Sequence, residues 1–229
     1  MRTLAAWQDR MPRWLRRYVL HFEASIEDAV ADFARRLGDG AVVLDAGAGE
    51  GQYRRWFGRQ GYVGVDLGIG DPGWDYRGLD AIADLAQLPF RCESLDAAVN
   101  IVTLEHVVDP GSVLAELARV LRPGGRLLLV VPHEWEEHQQ PHDFYRYTRY
   151  GVDHLLRKAG FGWTDIRPVG GYFRLVARRL LNGLQFFPGP LVLPAALLLV
   201  PAALLLPAFE PLDKSRNFTL GFICLAGKS

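Results

Sequence analysis

The stretch VVLDAGAGEGQY (residues 42–53) decides the fold class of this 229-residue chain. The apolar run that ends at Asp45 predicts a buried strand, and three glycines at alternate positions predict a tight loop leading into a helix. Glycine adopts backbone angles closed to other residues and lets the main chain approach a ligand closely. Nucleotide-type cofactors bind at such strand-to-helix turns in open α/β sheets, so the stretch indicates a cofactor site.

The spacing of the glycines argues against two common cofactor sites. The dinucleotide fingerprint requires a third glycine where this chain has Gln52, and a P-loop requires a lysine that the loop lacks. Asp45 and Glu50 instead bring two carboxylates to the loop, which favours a ligand with positive charge. A tight turn without any ligand remains the alternative at this point.

The order of predicted elements indicates an α/β fold. Strands are predicted near 41–45, 62–66, 79–83, 95–101, 126–131, 161–168 and 218–226. Helices are predicted over 25–37, from about Gly111 to a stop at Pro123-Gly124-Gly125, and over 150–159. This alternation predicts a Rossmann-like, doubly wound, mostly parallel seven-stranded sheet. We expect a helical segment at 1–40 and one domain at 41–229, with an apolar helical insertion at about 180–209 between the last two strands.

An acid also ends the second predicted strand. Asp66 follows Asp45 by 21 positions, in Tyr62-Val63-Gly64-Val65-Asp66. An acid at the tip of this strand is typically the residue that binds the two hydroxyls of a ribose. The alternative is that Asp66 only caps the turn formed with Leu67 and Gly68.

Five segments in this order resemble the class I S-adenosylmethionine-dependent methyltransferases, in particular the methyltransferase type 11 family. They are VLDAGAGEGQY, GVDLG, ADLAQLPF, LDAAVNIVTLEHVVDP and LAELARVLRPGGRLLLVVP, between residues 42 and 132. The resemblance implies that S-adenosylmethionine is the cofactor. It implies a cofactor-binding set of Asp45, Gly47, Ala48, Gly49, Gly51, Asp66, Leu67, Asp84, Leu85, Asn100, Ile101 and His106.

Within this set the resemblance assigns different parts of the cofactor to different positions. The loop from Asp45 to Gly51 would surround the methionine part, and Asp66 would bind the ribose. Asp84 and the Leu85 backbone would contact the adenine, while Asn100 and Ile101 would present a carbonyl to the amino group. The insert at 68–78, with four glycines and one proline, departs from the family pattern and predicts a loop. For His106 an ordinary, hydrogen-bonded structural role is the alternative.

Residues 133–147 are the richest source of groups for the acceptor side, with three histidines and four acids. They follow the fifth strand, at the end of the sheet where an acceptor would enter. We expect His142 to act as base or acceptor-orienting group, with His133 second and Tyr145 as a wall of the pocket. The spacing of His133, His138, His142 and Asp143 matches no metal motif with a known mechanism, so no metal is expected.

The second unusual segment is Leu180–Phe209, which contains 30 residues without a charge. It is long enough to span a bilayer, which needs about 20 apolar residues. Its five prolines argue against a straight helix. If the sixth and seventh strands pair in one sheet, both ends of the segment must lie on the same side of a membrane. A re-entrant or monotopic hairpin, a buried apolar lid and a dimer surface are the remaining possibilities.

The N-terminal residues favour a membrane surface. Residues 1–20 contain five arginines and one acid, and apolar residues recur at helical spacing, at Leu4, Trp7, Met11, Trp14, Leu15, Tyr18 and Phe22. A basic amphipathic helix of this kind is typical of membrane-surface segments. An ordinary helix packed on the sheet or on the apolar hairpin, with solvated arginines, is the alternative.

Composition narrows the compartment and the partners. Lys plus Arg and Asp plus Glu are both 26, so no nucleic-acid partner is indicated. Two cysteines are too few for a disulfide framework, and no secretory signal is seen. We therefore expect a cytoplasmic protein, peripheral on the inner face of the cell membrane.

The expected function is methyl transfer from S-adenosylmethionine to an apolar or lipid-linked small-molecule acceptor at the membrane surface. A soluble methyltransferase for natural products or sugars, with a hydrophobic acceptor pocket, is the first alternative. An NAD(P)-dependent oxidoreductase and a non-catalytic cofactor-binding scaffold are further alternatives. A homodimer through the apolar segment is also compatible with the sequence.

Overall fold

The seven predicted strands form one sheet in the computed structural model, which describes residues 12–70 and 73–229. The strand order is β3-β2-β1-β4-β5-β7-β6. The strands are β1 (Val42–Ala46), β2 (Gly61–Asp66), β3 (Ala81–Ile82), β4 (Leu95–Ile101), β5 (Leu121–Pro132), β6 (Phe161–Val169) and β7 (Gly221–Lys228). β1 pairs with β2 and β4, β2 with β3, and β4 with β5, all in parallel.

β7 makes the sheet mixed. The Nζ of Lys228, at the end of β7, donates to the carbonyl of Leu121 at the start of β5, at 2.8 Å. The N–H of Leu220, just before β7, donates to the carbonyl of Val169 at the end of β6, at 3.0 Å. β7 therefore runs opposite to both neighbours, and the prediction of a doubly wound, mostly parallel sheet is confirmed.

Six α-helices accompany the strands among the described residues. They are α1 (Arg13–Val19), α2 (His21–Arg35), α3 (Pro110–Val120), α4 (Arg149–Lys158), α5 (Tyr172–Gly183) and α6 (Val192–Leu205). α3 begins where Pro110 needs no N–H partner and where the Asp109 carboxylate accepts from the N–H groups of Gly111 and Ser112. Thr148 caps α4 in the same way, by accepting from Gly151.

The core lies between the central strands and α3. In β4 every residue except Asp96 is buried, as expected for a strand covered on both faces. Leu114 and Leu117 of α3 are completely buried in the same cluster as Leu127 and Leu129 of β5. This packing fixes the C-terminal ends of β1, β4 and β5, which carry the candidate site.

Three local predictions are wrong. The glycine loop does not lead into an α-helix, because only the 3-10 turn Arg54–Trp56 follows it. The third strand has two residues instead of the predicted 79–83. The helix expected to reach Pro123 ends at Val120, since Leu121 already pairs with Leu95 and β5 begins there. The Pro123-Gly124-Gly125 segment lies inside β5, where the register with β4 shifts and Gly124 has a φ of 77°.

The chain divides into two compact units. The sheet unit comprises Asp28–Arg167 and Phe222–Ser229, and the helical unit comprises the residues up to Glu27 together with Pro168–Gly221. Each unit is discontinuous in sequence.

In the helical unit, two acids hold the start of α5. The Asp213 carboxylate accepts from the N–H of Tyr172 at 2.8 Å, and the Glu210 carboxylate accepts from the N–H of Arg174 at 3.1 Å. The first turn of a helix leaves N–H groups without intrahelical partners, so these acids stabilise it as an N-cap does.

Within the same unit α1 contacts the apolar segment. Tyr18 donates from its hydroxyl to the carbonyl of Leu204 at 2.5 Å. At Leu206–Leu212 the helix tightens to a 3-10 helix. In a 3-10 helix each carbonyl accepts a hydrogen bond from the N–H of the residue three positions later. For Leu204 that residue is Pro207, which has no N–H, so the tyrosine supplies the missing donor. The predicted apolar residues Leu4, Trp7 and Met11 lie outside the described residues.

The predicted apolar helical insertion is present between β6 and β7. In the described part of the chain one helix, Gly189–Leu212, is long and apolar enough to cross a membrane by length and composition. Its mean hydropathy is 2.4, and only 11% of its most apolar window is buried. Since Val169 and Leu220 are joined by a hydrogen bond, the insertion leaves and re-enters the sheet at one place. A single crossing of a membrane is therefore excluded.

Candidate active site

The loop after β1 owes its shape to three glycines with positive φ. The angles are 86° at Gly47, 54° at Gly49 and 74° at Gly51, a region that is costly for other residues. The N–H groups of Gly47 and Ala48 both donate to the Val65 carbonyl, at 2.8 and 3.0 Å. The loop is thereby anchored to the end of β2.

Neighbouring side chains add a second constraint at two of these glycines. A Cβ at Gly47 would overlap the side chain of Thr103, whose hydroxyl lies 3.3 Å from the Gly47 carbonyl. A Cβ at Gly49 would lie 3.3 Å from the ring of Trp74. At Gly51 no described atom lies within 4 Å of the Cβ position. Gly47 is therefore fixed by packing as well as by its backbone angle, and Gly51 by its angle alone.

Asp45, the next-to-last residue of β1, is a completely buried acid. Its Oδ2 accepts from the Tyr62 hydroxyl at 2.5 Å, and its Oδ1 has no hydrogen-bond partner among the described residues. Burial raises the pKa of Asp45 from 3.8 to about 7, with the nearby Asp66 carboxylate adding to the rise. A cation placed near Oδ1 would offset this desolvation and restore the ionised form.

Asp66 holds two loops at once. Its Oδ2 accepts from the N–H of Gly49 at 2.9 Å, and its Oδ1 accepts from the N–H of Gly68 at 2.8 Å. The second contact is the turn cap that the sequence offered as an alternative to ribose binding. Each carboxylate oxygen accepts more than one hydrogen bond, so Asp66 keeps acceptor capacity beside both loops. Leu67, which follows it, is exposed.

Asn100 lies at the end of β4 beside the same loop. It is completely buried, and its Nδ2 donates to the Ala46 carbonyl at 2.8 Å. Its Oδ1 is a buried acceptor without a partner among the described residues. Ile101 is buried next to it. The ends of β1 and β4 thus each carry one buried oxygen without a partner among the described residues, from Asp45 and from Asn100.

The predicted adenine contacts lie in a loop with little secondary structure. Asp84 is exposed, and its Oδ1 accepts from the N–H of Ala86 at 2.9 Å. Leu85 is buried against the core. The described residues of the insert, 68–70 and 73–78, form a loop with a 3-10 turn at Tyr76–Gly78, as its glycines predict.

Each of the three residues predicted for the acceptor side takes part in a contact with a backbone carbonyl oxygen. The Nδ1 of His133 lies 2.8 Å from the Tyr147 carbonyl, so Nδ1 carries the proton of the neutral ring and Nε2 carries the lone pair. Tyr145 donates from its hydroxyl to the Val108 carbonyl at 2.7 Å. His142 is exposed, and its carbonyl lies 2.6 Å from the Nδ1 of His106.

Glu105 is a site residue that sequence reasoning missed. Its side chain is completely buried, and burial raises its pKa from 4.5 to about 8. Desolvation also lowers the pKa of the adjacent His106. The available signal was a carboxylate within the apolar run Leu104-Glu105-His106-Val107-Val108. Tyr62, Trp74 and Thr103 were also missed, because their roles depend on contacts with residues distant in sequence.

Comparison with known proteins gives a consistent result. A family model described as "Methyltransferase domain" matches residues 44–129. A tRNA (carboxymethyluridine(34)-5-O)-methyltransferase from Arabidopsis thaliana is 33% identical over 120 residues, covering 48% of this chain and 28% of that protein. A demethylmenaquinone methyltransferase from Mycobacterium marinum is 35% identical over 100 residues, covering 42% and 43%.

The fold agrees with these similarities. The crystal structure of Burkholderia thailandensis 1,6-didemethyltoxoflavin-N1-methyltransferase, with S-adenosylhomocysteine bound, has a TM-score of 0.57 and 22% identity, covering 100% of this chain and 89% of that one. Residues 44–129 are thus similar to the domain of class I S-adenosylmethionine-dependent methyltransferases. The matches cover 28 to 43% of the length of the first four curated relatives.

S-adenosylmethionine, the cofactor of the methyltransferase domain, fits the polar groups at the strand ends. The cofactor carries a sulfonium, an ammonium and a ribose diol, which are cationic or hydrogen-bond-donating groups. The unpartnered Asp45 Oδ1 and Asn100 Oδ1 are buried acceptors, and Asp66 is an anionic acceptor beside the glycine loop. Hydrogen-bond acceptors of this kind match a cation that carries many donors. The residues that would hold the cofactor are those of the glycine loop together with Asp66 and Asn100.

Proposed function

We propose that the protein transfers a methyl group from S-adenosylmethionine to an apolar or lipid-linked small-molecule acceptor at a membrane surface. When bound, the cofactor supplies an activated methyl group on a sulfonium. The protein then has to align the acceptor with that methyl group and exclude water. The observation that supports the acceptor class is the exposed apolar helix of the helical unit.

The residues around the methyl donor are proposed to bind and orient the cofactor. Asp45 and Asn100 offer buried oxygens to the cationic part of the cofactor, and Asp66 offers a carboxylate to the ribose. Tyr62 holds one oxygen of Asp45 and thereby fixes the direction of the other. The glycine loop keeps its shape because it is bonded to β2 and packed on Thr103.

On the acceptor side, a base is needed only if the methylated group carries a proton that must leave. The bond from His133 Nδ1 to the Tyr147 carbonyl leaves Nε2 as the basic nitrogen, as a general base requires. His142 is exposed and can meet an entering acceptor, and Tyr145 is held by Val108 as a wall beside it. These roles are proposals on the same footing as the acceptor class.

The apolar helix supports an acceptor that resides in a membrane. Leu193, Leu197 and Leu198 are 70, 83 and 73% exposed. Contiguous exposed apolar surface of this kind is typical of a surface that binds a membrane or another protein. The hydrogen bond between Val169 and Leu220 requires both ends of the insertion on one side, so a monotopic or re-entrant arrangement follows. The name of the demethylmenaquinone relative agrees with an apolar acceptor.

A cavity in the helical unit does not offer an alternative acceptor pocket in its present form. It is lined by residues of α1, α2, α5 and α6, including Tyr18, His21 and Arg174, and its volume is about 20 Å³. A volume near this size holds about one water molecule. This cavity is therefore too small to hold an acceptor.

The acceptor class is tested by following the methyl group. The protein is incubated with S-adenosylmethionine labelled in the methyl group and with lipid and aqueous extracts of the source cells. We expect label in the lipid fraction, and we expect Asp66→Ala to abolish it. Label confined to the aqueous fraction would instead support a soluble small-molecule methyltransferase.

The membrane surface is tested by flotation with vesicles of phosphatidylcholine and phosphatidylglycerol. The variant Leu197→Glu/Leu198→Glu places two charges on exposed positions of α6. Burying one leucine contributes about 1.5–3 kcal/mol, so we expect vesicle affinity to fall by roughly 100-fold or more. Tyr150→Glu, at an 81% exposed position of the sheet unit, is the matched control and should leave flotation unchanged.

Two results would contradict the membrane proposal. One is complete recovery of the wild-type protein in the lipid-free fraction. The other is equal flotation of the leucine variant and the tyrosine control. If sedimentation shows a dimer that the leucine variant abolishes, the apolar helix is a dimer surface.

Under this proposal, the protein lies in the cytoplasm on the inner face of the cell membrane.

A further inference from the structure

Glu105, His106 and His138 form a cluster that their spacing in the sequence does not predict. Glu105 and His106 lie just after β4, and His138 lies in the segment after β5. One ligand atom from each residue lies within 4.8 Å of the other two. The Oε1 of Glu105 is 3.8 Å from the Nε2 of His106, and the centroids of the two imidazole rings are 4.7 Å apart.

Glu105 is the unusual member of this cluster. Its side chain has no exposed surface, and neither carboxylate oxygen has a hydrogen-bond partner in another described residue. Buried ionised groups are normally paired, hydrogen-bonded or bound to a metal ion, because isolated burial is costly. Two unpartnered buried oxygens therefore point to a ligand that the protein does not itself supply.

The nearest cation does not fill this role. The guanidinium of Arg146 donates through NH1 and NH2 to both oxygens of Asp143, at 2.7 Å each. Its remaining donors reach the carbonyls of Trp135, Glu136 and Tyr145. With its donors used in this way, Arg146 stabilises the segment after β5 and donates no hydrogen bond to Glu105.

The hydrogen bonds of the two histidines fix which nitrogen is free to bind. The Nδ1 of His106 faces the His142 carbonyl at 2.6 Å, and the Nδ1 of His138 faces the Glu136 carbonyl at 3.2 Å and the Asp143 carboxylate at 3.3 Å. These partners only accept, so Nδ1 carries the proton in each neutral ring and Nε2 carries the lone pair. Metal-binding histidines show this pattern, with the second nitrogen donating to a carbonyl or carboxylate.

From this arrangement we propose that Glu105, His106 and His138 bind a divalent transition-metal ion, with Zn²⁺ as the preferred ion. Two imidazole nitrogens and one carboxylate oxygen are a frequent ligand set for zinc with an open fourth position. Bonds of about 2.0–2.1 Å require the three ligand atoms to approach one another to roughly 3.3 Å. The Glu105–His106 pair therefore closes by about 0.5 Å from its 3.8 Å separation, and no pair in the cluster has to close by more than about 1.5 Å.

The cluster lies near the glycine loop that follows β1. Thr103, two residues before Glu105, contacts the carbonyl of Gly47. An open coordination position here would accept an oxygen of the acceptor and orient it. That role rests on the proposed function, whereas metal binding by the cluster does not.

The test measures zinc binding without cofactor or acceptor. Tag-free full-length protein is stripped with a chelator, and Zn²⁺ is titrated by calorimetry, with stoichiometry checked by elemental analysis. We expect one ion per chain and at least a 100-fold loss of affinity in His138→Gln and in Glu105→Gln. His154→Gln, an exposed histidine on α4, is the matched control and should bind as the wild type does.

Thermal stability and Co²⁺ absorption test the proposal even if one of the variants does not fold. His138 is only partly buried, so His138→Gln should fold even if the substitution at the buried Glu105 fails. Zn²⁺ should raise the Tm of the wild type and of the His154 variant but not that of His138→Gln. Co²⁺ should give visible d–d absorption bands that the same variant lacks.

Two outcomes would overturn the proposal. One is the absence of stoichiometric zinc uptake by the wild type, in which case Glu105 and His106 share a proton instead. The other is zinc uptake that is equal in the wild type, His138→Gln and Glu105→Gln, which would mean adventitious binding elsewhere. Because neither outcome involves methyl transfer, each is distinguishable from failure of the proposed function.

Discussion

β4 and α6 are both apolar in sequence, and their side chains lie in opposite environments. In β4 (Leu95–Ile101) every residue except Asp96 is buried. In α6 (Val192–Leu205) Ala203 alone is buried. The apolar residues of β4 are explained by the core that they form with α3 and β5. Those of α6 are not explained by any core within the described chain.

Both units contain buried polar atoms without hydrogen-bond partners among the described residues, such as Glu210 Oε1 in the helical unit, and they differ in how much apolar surface they expose. At the strand ends of the sheet unit, Asp45, Asn100 and Glu105 keep buried polar atoms without hydrogen-bond partners among the described residues. In the helical unit, α6 keeps apolar side chains without cover. Unpartnered polar atoms are suited to a small polar ligand, and uncovered apolar residues are suited to a lipid or protein surface. Under the proposed function, the sheet unit binds the cofactor and the helical unit contacts the membrane.

The largest effect is expected where packing and backbone angle act together. Gly47→Ala should lower the free energy of unfolding by about 3 kcal/mol, since it adds a strained φ and an overlap with Thr103. Gly51→Ala has the same angular problem but open space, so it should cost about 1–2 kcal/mol. Denaturant unfolding measures both. Equal losses would mean that Thr103 does not constrain the loop, and Thr103→Gly in the Gly47→Ala background should recover part of the difference.

The next effect concerns the cofactor. Asp66→Ala removes an anionic acceptor beside the glycine loop together with its bonds to Gly49 and Gly68. Hydrogen bonds to a charged group contribute about 1.5–3 kcal/mol, so we expect affinity for S-adenosylmethionine to fall roughly 100-fold. Isothermal titration calorimetry checks this. Asp32→Ala, on the surface of α2, is the control, and unchanged affinity in Asp66→Ala would refute ribose binding by this residue.

The sequence predicted the elements whose signals are local. The alternation of apolar runs, glycine turns and caps was enough for the seven strands, and the strand ends carry the acids at Asp45 and Asp66. It failed where a longer-range contact decides the outcome. The residues after the glycine loop form a 3-10 turn at Arg54–Trp56 instead of a helix. Leu121 joins β5 because Leu95 pairs with it, although the Pro-Gly-Gly segment suggested a later start.

The site shows the same limit. The resemblance of five ordered segments to a known family was sufficient to suggest the cofactor, which the comparisons support. They could not show that Tyr62 holds Asp45 or that Glu105 is buried beside His106, because these contacts arise only when β1, β2 and β4 are adjacent. Metal binding was not expected, since the histidine spacing matched no motif and the cluster joins residues 32 positions apart, His106 and His138.

A smaller effect follows from the buried acid of the sheet unit. Burial raises the pKa of Asp45 to about 7, so its carboxyl is mostly protonated at pH 6 and mostly ionised at pH 8. Cationic cofactor favours the ionised form, and affinity should rise roughly tenfold between these pH values. Calorimetry across this range tests the sign, and Asp45→Asn should flatten the profile. Affinity that stays constant or falls in the wild type would contradict a contact between Asp45 and the cationic part.

The same pKa shift has a consequence for stability without cofactor. The folded-state pKa of Asp45 lies above its unfolded value of 3.8. The associated stabilisation is therefore fully present below pH 4 and is lost as the pH rises through about 7. Saturating cofactor should reduce this loss, because it binds only the folded chain and favours the ionised carboxyl.

The smallest effect is expected in the helical unit, and it separates exposure from packing. Leu197→Glu/Leu198→Glu should change the free energy of unfolding in lipid-free buffer by less than about 0.5 kcal/mol per position, because both side chains are exposed. A loss above about 2 kcal/mol would mean that these leucines pack inside the folded chain, as those of β4 do. Unchanged stability together with lost vesicle binding would instead mean that their apolar character serves a contact outside the chain. Denaturation and flotation of one variant thus decide whether β4 and α6 are apolar for different reasons.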